Sequence, residues 1–143
     1  TGRPAEARAT FERIRAIAPT NAAALLNIAT VQLRGGDRAG ARASLEAALA
    51  LNPRLARAHN ALGVIAAETD HPEEAIAHWK RAVELEPREY DTVFNLGRVL
   101  WGLGRAAEAR PYLERFVREA PPAAYARDIA TVRALLAGRG PRG

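Results

Sequence analysis

A chain of 143 residues with net charge +5 and no cysteine excludes disulfides and thiolate metal sites, and 48% hydrophobic with 26% charged residues excludes an intrinsically disordered chain. No apolar run approaches the roughly 18–20 residues needed to cross a bilayer, and no signal-peptide order of charged, apolar and small residues opens the chain. The positive surplus is interrupted, since residues 22–55 carry +2, residues 56–89 carry −3 and the tail from Ala124 carries +3; a basic stripe tracking phosphates is absent, and nucleic acid is not an expected partner.

In chain order, Pro4 suits the first position of a helix, and Ala7, Phe11, Ile14 and Ile17 recur at helical spacing until Pro19 ends the run. No helical run precedes this one, so the array is expected to open mid-repeat, as a piece of a longer protein would. Asn21 is a candidate N-cap for a helix carrying Leu25, Ile28, Ala29 and Gln32 on one face. Gly35-Gly36-Asp37 breaks it, and a second helix is predicted to turn Ala41, Leu45, Ala48, Leu49 and Leu51 inward before Asn52-Pro53. The pattern repeats with His59, Leu62, Gly63 and Ala66, then Ala75, Trp79, Ala82, Val83 and Leu85. Pro72 opens that second helix, and Glu73 and Glu74 sit against the positive end of its dipole. A third pass gives Val93, Leu96, Gly97 and Leu100, then Ala109, Leu113, Phe116 and Val117; Pro111 lies inside this last helix and predicts a local bend. A final helix over about Ala124 to Ala137 carries Ile129, Val132, Leu135 and Leu136, ahead of a glycine-rich tail.

Pro19, Pro53, Pro87 and Pro121 are each 34 residues apart. A second phase agrees with them: small residues at Ala7, Ala41, Ala75 and Ala109, each followed four residues later by Phe11, Leu45, Trp79 and Leu113. With the pairs Ile28-Ala29, Leu62-Gly63 and Leu96-Gly97, these units resemble the tetratricopeptide repeat, a helix–turn–helix of this period. The resemblance implies an all-α, right-handed α-solenoid. It would consist of a half repeat over 1–21, repeats over 22–55, 56–89 and 90–123, a capping helix over about 124–137 and a flexible tail over 138–143. Three departures stand out: Gln32 and Ala66 replace an aromatic, Phe116 fills a small-residue slot and should push helices apart or fill space toward the cap, and His59 is polar where bulk is usual.

The same resemblance implies a protein or peptide partner on the concave face built by the first helices. Carried over position by position, that groove comprises Leu26, Asn27, Thr30, Arg57, Asn60, Val64, Asp91, Phe94, Asn95, Arg98 and Trp101. Asn27, Asn60, Asn95 and Arg98 are its expected polar anchors, and Leu26, Phe94 and Trp101 its apolar ones; an amide can pair with both the N–H and C=O of an extended peptide. Phe94 and Trp101 flank Arg98 and could form an aromatic and guanidinium pocket, or could simply pack against neighbouring helices. Arrays that hold the acidic C-termini of heat-shock chaperones carry Lys and Asn at fixed groove positions, where Leu26 and Thr30 stand here, so that partner class is not expected.

Glu74 and His78 lie one helical turn apart but have no evident third ligand, and read as a surface pair, not a metal site. Glu84/Arg88 and Glu114/Arg118 read as solvated charge pairs. No nucleophile–base pair or phosphate loop is present, and Gly35-Gly36 lacks the strand and the Lys-Ser/Thr that such a loop needs. The expected role is therefore a non-catalytic interaction scaffold without cofactor. One alternative is self-association through the array ends. Another is the C-terminal region of a larger bacterial enzyme, because Leu113 to Phe116, Ala120-Pro-Pro and Tyr125 to Leu136 resemble tails fused behind hydrolases such as sulfatases.

Overall fold

The computed structural model describes residues 21–138, and among these the regular structure is seven α-helices: α1 (Ala22–Arg34), α2 (Arg38–Leu51), α3 (Ala56–Glu68), α4 (Pro72–Leu85), α5 (Tyr90–Gly102), α6 (Ala106–Glu119) and α7 (Pro122–Leu136). Consecutive helices pair as α1 with α2, α3 with α4, and α5 with α6; α2 also packs on α3, and α6 on α7. The chain forms two compact units, one ending at Leu85 and the other beginning at Glu86. The expected half repeat, apart from Asn21, and the tail beyond Gly138 lie outside the described residues.

Local chemistry explains where the helices begin and end. The Asn21 side-chain oxygen accepts from the Ala24 N–H at 3.0 Å, and Asp37 accepts from Gly40 N–H at 2.9 Å, each satisfying a donor that the first helical turn leaves free. Within each repeat the helix pair is joined by a residue in the left-handed region: Gly36 (φ 80°), Asp70 (φ 60°) and Gly104 (φ 78°). Gly138 (φ 72°) ends α7 in the same phase, so the 34-residue period is written in the backbone as well as the side chains.

The inward stripes follow the small-residue phase. Ala41, Ala75 and Ala109 have no exposed surface, and Leu45, Trp79 and Leu113 lie buried one turn on, so helices approach closely at the alanines and interlock beside them. Gln32 is buried too, its Oε1 accepting from Ser44 Oγ at 2.6 Å. Phe116 is fully buried between Phe94 (centroids 5.0 Å) and Tyr125 (5.5 Å); of its two expected consequences, it fills space toward the last helix.

Three expectations require correction. Leu51 is the final residue of α2 and is 42% exposed: the inward stripe ends at Ala48–Leu49, and the residues from Ala50 to Arg54 all face solvent. α6 runs as one element through Pro111, whose ring lies on its exposed face; the departure from helical dihedrals falls instead at Tyr125 in α7 (φ −124°, ψ 20°). α7 begins at Pro122, two residues before the expected start, because proline suits a first helical position that needs no N–H.

Candidate partner-binding faces of the first helices

In the first unit the candidate residues are borne by α1 and α3. Leu26 is not available to a ligand: it is 7% exposed and belongs to a buried cluster with Ala29, Ala41, Leu45, Ala58, Leu62 and Ile65. The packing of α3 on α2 draws this position inward, so Leu26 is a core residue and not an apolar anchor. Thr30 is half-buried and its hydroxyl donates to Leu26 O at 3.0 Å, which satisfies it within the helix. Asn60 is half-buried, with an enclosed Oδ1 that has no partner among the described residues, while its main-chain oxygen accepts from Trp79 Nε1 at 3.2 Å. Val64 is half-buried, and Asn27 and Arg57 are open to solvent. Of the anchors expected on this unit, only Asn27 stands fully exposed.

In the second unit the candidates converge on α5. Phe94 lies half-buried against Phe116, and the Arg98 guanidinium carbon sits 5.3 Å from the Phe94 ring centroid, one helical turn on. Arg98 is exposed and pairs with no carboxylate among the described residues. Asn95 and Trp101 are half-buried on the same helix, and Asp91 is exposed near its start. Asp91 faces Tyr125, whose hydroxyl is pushed above its ordinary pKa first by burial and then by the Asp91 charge. The structure therefore joins Phe94 and Arg98, whereas Asp91 is directed to the α7 tyrosine.

The second helices treat arginine differently. Arg42 bonds both Glu46 and Glu74, Arg81 pairs with Glu84, Arg110 with Glu114, and Arg115 with Glu119. The expected partners of two acids change accordingly. Arg88 lies beyond the end of α4, where an i, i+4 pair cannot form, so Glu84 turns to Arg81; Glu114 turns to Arg110, while Arg118 approaches Glu119 at 3.8 Å. Arg57 and Arg98, on first helices, have no such partner among the described residues.

Two features escaped the sequence. A depression of about 650 Å³ in the second unit is lined by Pro87, Arg88, Tyr90, Arg115, Glu119 and Pro121; Arg115 donates to Pro87 O and, at 2.9 Å, to Glu119. Its only sequence signal is that two of the periodic prolines frame it. In the first unit, His59 and His78 meet with Nδ1 atoms 3.3 Å apart. A polar residue at the fourth repeat position was the one hint. Among the described residues, no group of three or more His, Asp or Glu is placed to hold a metal ion, and no helix is long and apolar enough to cross a membrane.

Two family models described as tetratricopeptide repeat match the chain, over residues 1–65 and 62–137. No curated protein matches. Among solved structures, the crystal structure of MamA is similar over 97% of this chain and 87% of its own, with 21% identity and a TM-score of 0.75. A second MamA structure is similar over 87% of this chain and 68% of its own (22% identity, TM-score 0.70). YrrB, described as a TPR protein with an unusual peptide-binding site, is similar over 88% of this chain and 66% of its own (24% identity, TM-score 0.74). At these identities the likeness concerns the fold.

Proposed function

The chain belongs to the tetratricopeptide repeat family, and on that premise we propose that it is a non-catalytic scaffold whose first-helix faces take an extended peptide or a helix from a protein partner. The observation that carries this reading is the state of Arg98: an exposed guanidinium held over a half-buried phenyl ring, without a carboxylate among the described residues, where the described second-helix arginines Arg42, Arg81, Arg110 and Arg115 each pair with one. Stacking on Phe94 fixes the guanidinium plane and leaves its edge donors free, so less freedom is lost on binding. Asn95 and Trp101 on the same helix add an amide for a partner's main chain and an aromatic surface for a side chain. In the first unit taken by itself, Asn27 and Arg57 are the exposed polar groups on the first helices. The family's fold hosts many functions, so the partner's identity has to come from these side chains and not from the architecture.

The decisive experiment is capture from native lysate by the wild-type chain and by a variant combining Arg98→Glu with Asn95→Ala. Loss of a hot-spot arginine costs about 2 kcal/mol or more, roughly 30-fold in affinity, so the variant should lose its partner while keeping the wild-type helical content and unfolding midpoint. Unchanged capture would sink the proposal.

A further inference from the structure

The histidines of the first unit form an arrangement that partner binding does not require. His59 on α3 and His78 on α4 are both half-buried, with ring centroids 5.6 Å apart and Nδ1 atoms at 3.3 Å. The other nitrogen of His59, Nε2, lies 3.0 Å from the Pro53 carbonyl oxygen. A carbonyl only accepts, so His59 Nε2 carries hydrogen and, in the neutral ring, Nδ1 is a bare acceptor. His78 Nδ1–H must then be the donor, which leaves His78 Nε2 bare, 3.9 Å from Glu74 Oε1.

We propose that this pair is a proton-sensitive latch: one shared hydrogen ties α3 to α4 and, through Pro53, to the turn before α3, and acidification releases it. The charged groups that act on His78 can be named. From its own helix His78 meets Glu74, and from α2 it meets Arg42 and Glu46. Glu74 would reward an imidazolium, but the same Oε1 already accepts from Arg42, whose positive charge opposes it. A proton taken by His78 goes to its bare Nε2 and leaves Nδ1–H donating, against the charge of Arg42; a further proton, on His59 Nδ1, places two N–H groups head to head across 3.3 Å and ends the bond.

Burial first, then the neighbouring His59, hold the His78 pKa below its ordinary 6.5. The folded chain thus takes up the proton less readily than the unfolded one. Stability is full above about pH 6.5 and falls as pH drops below it, until His78 protonates in the folded state too. The latch occupies a position that the other repeats fill with Leu25 and Val93, both buried. It replaces a permanent apolar contact with one that depends on pH. This inference stands whatever the first-helix faces bind.

Ring-proton NMR titration of the wild-type chain is the first test: His78 should take its proton at a lower pH in the folded chain than in the chain unfolded by urea. Urea unfolding at about pH 7.5 and about pH 5 is the second. His59→Leu restores the residue type of Leu25, and should remove a several-fold share of the acid-induced drop in the folding equilibrium constant. A His78 that titrates in the folded chain at or above its midpoint in the urea-unfolded chain, or a His59→Leu chain that retains the wild-type pH dependence, overturns the latch.

Discussion

The two units follow one 34-residue pattern but fill the space beside it by different means. The first draws polar groups inside, pairing Ser44 with Gln32 and His59 with His78. The second fills its interior with rings in sequence: Phe94 on Phe116 at 5.0 Å, Phe116 on Tyr125 at 5.5 Å, and Tyr125 on Tyr90 at 6.2 Å. The repeat thus dictates where helices approach, through Ala41, Ala75 and Ala109, and leaves open what occupies the space beside them. Polar filling ties a unit to pH near neutrality, whereas aromatic filling brings large apolar area and a proton dependence only at alkaline pH, through Tyr125.

Phe116→Ala is the most forceful way to break this contrast. Ala48 and Ala82 occupy the same repeat position, so the backbone accepts alanine there, and the loss measures the aromatic filling alone. Removing a fully buried phenyl ring costs about 3–5 kcal/mol, seen as a lower midpoint in denaturant unfolding. A loss under about 1 kcal/mol would mean that the second unit closes to the alanine spacing, and the difference between the units would be superficial.

Gly63 and Gly97 sharpen the contrast at a single matched position. A Cβ on Gly63 would lie 2.4 Å from Trp79 Nε1, a rigid indole held by its bond to Asn60 O. A Cβ on Gly97 would lie 2.5 Å from Leu113 Cδ2 and 2.8 Å from its Cγ, atoms of an aliphatic side chain that can shift by rotation where the indole cannot. The first repeat already places Ala29 and Leu45 at these two positions within one buried cluster. Gly63→Ala should therefore cost about 1–3 kcal/mol through overpacking. Gly97→Ala should stay within about 1 kcal/mol of wild type, since alanine's better helix propensity offsets the shift of Leu113. Equal losses in thermal or urea unfolding would refute the distinction between rigid and yielding neighbours.

These contrasts also mark what the sequence could reveal. Proline phase and small-residue phase are properties of the repeat, so the helices, their inward faces and the Asn21 cap were legible from spacing alone. The fate of individual groove positions was not. The fifth position holds Leu26, Asn60 and Phe94, three residues of different character, and each is at least half-buried. Its exposure depends on which side chains the packed neighbour presents. Helix ends caused two further discrepancies, because Leu51 and Arg88 lie where a periodic stripe runs out but the pattern does not show it. The histidine pair joins residues 19 positions apart on facing helices, a separation without a sequence signature.

The smallest expected effect lies at the turn inside the second repeat. Asp70 adopts φ 60°, where Gly36, Gly104 and Gly138 stand at the equivalent positions, and it is the one non-glycine residue with positive φ among the described residues. The left-handed region costs an L-residue roughly 1–2 kcal/mol, less for aspartate, whose short side chain tolerates it. Glycine removes that strain but adds about 0.5–1 kcal/mol of entropy to the unfolded chain. Asp70→Gly also deletes a negative charge close to the N-terminus of α4, worth about 0.3–1 kcal/mol at an exposed site. Comparison with wild type would mix these contributions, so the informative reference is Asp70→Ser, which removes the same charge and keeps a Cβ in the strained region. Asp70→Gly should exceed Asp70→Ser in stability by about 0.5–1 kcal/mol in urea unfolding. Equal midpoints would show that the turn relaxes around a side chain, and that the first unit tolerates departures from the repeat in its backbone as readily as in its interior.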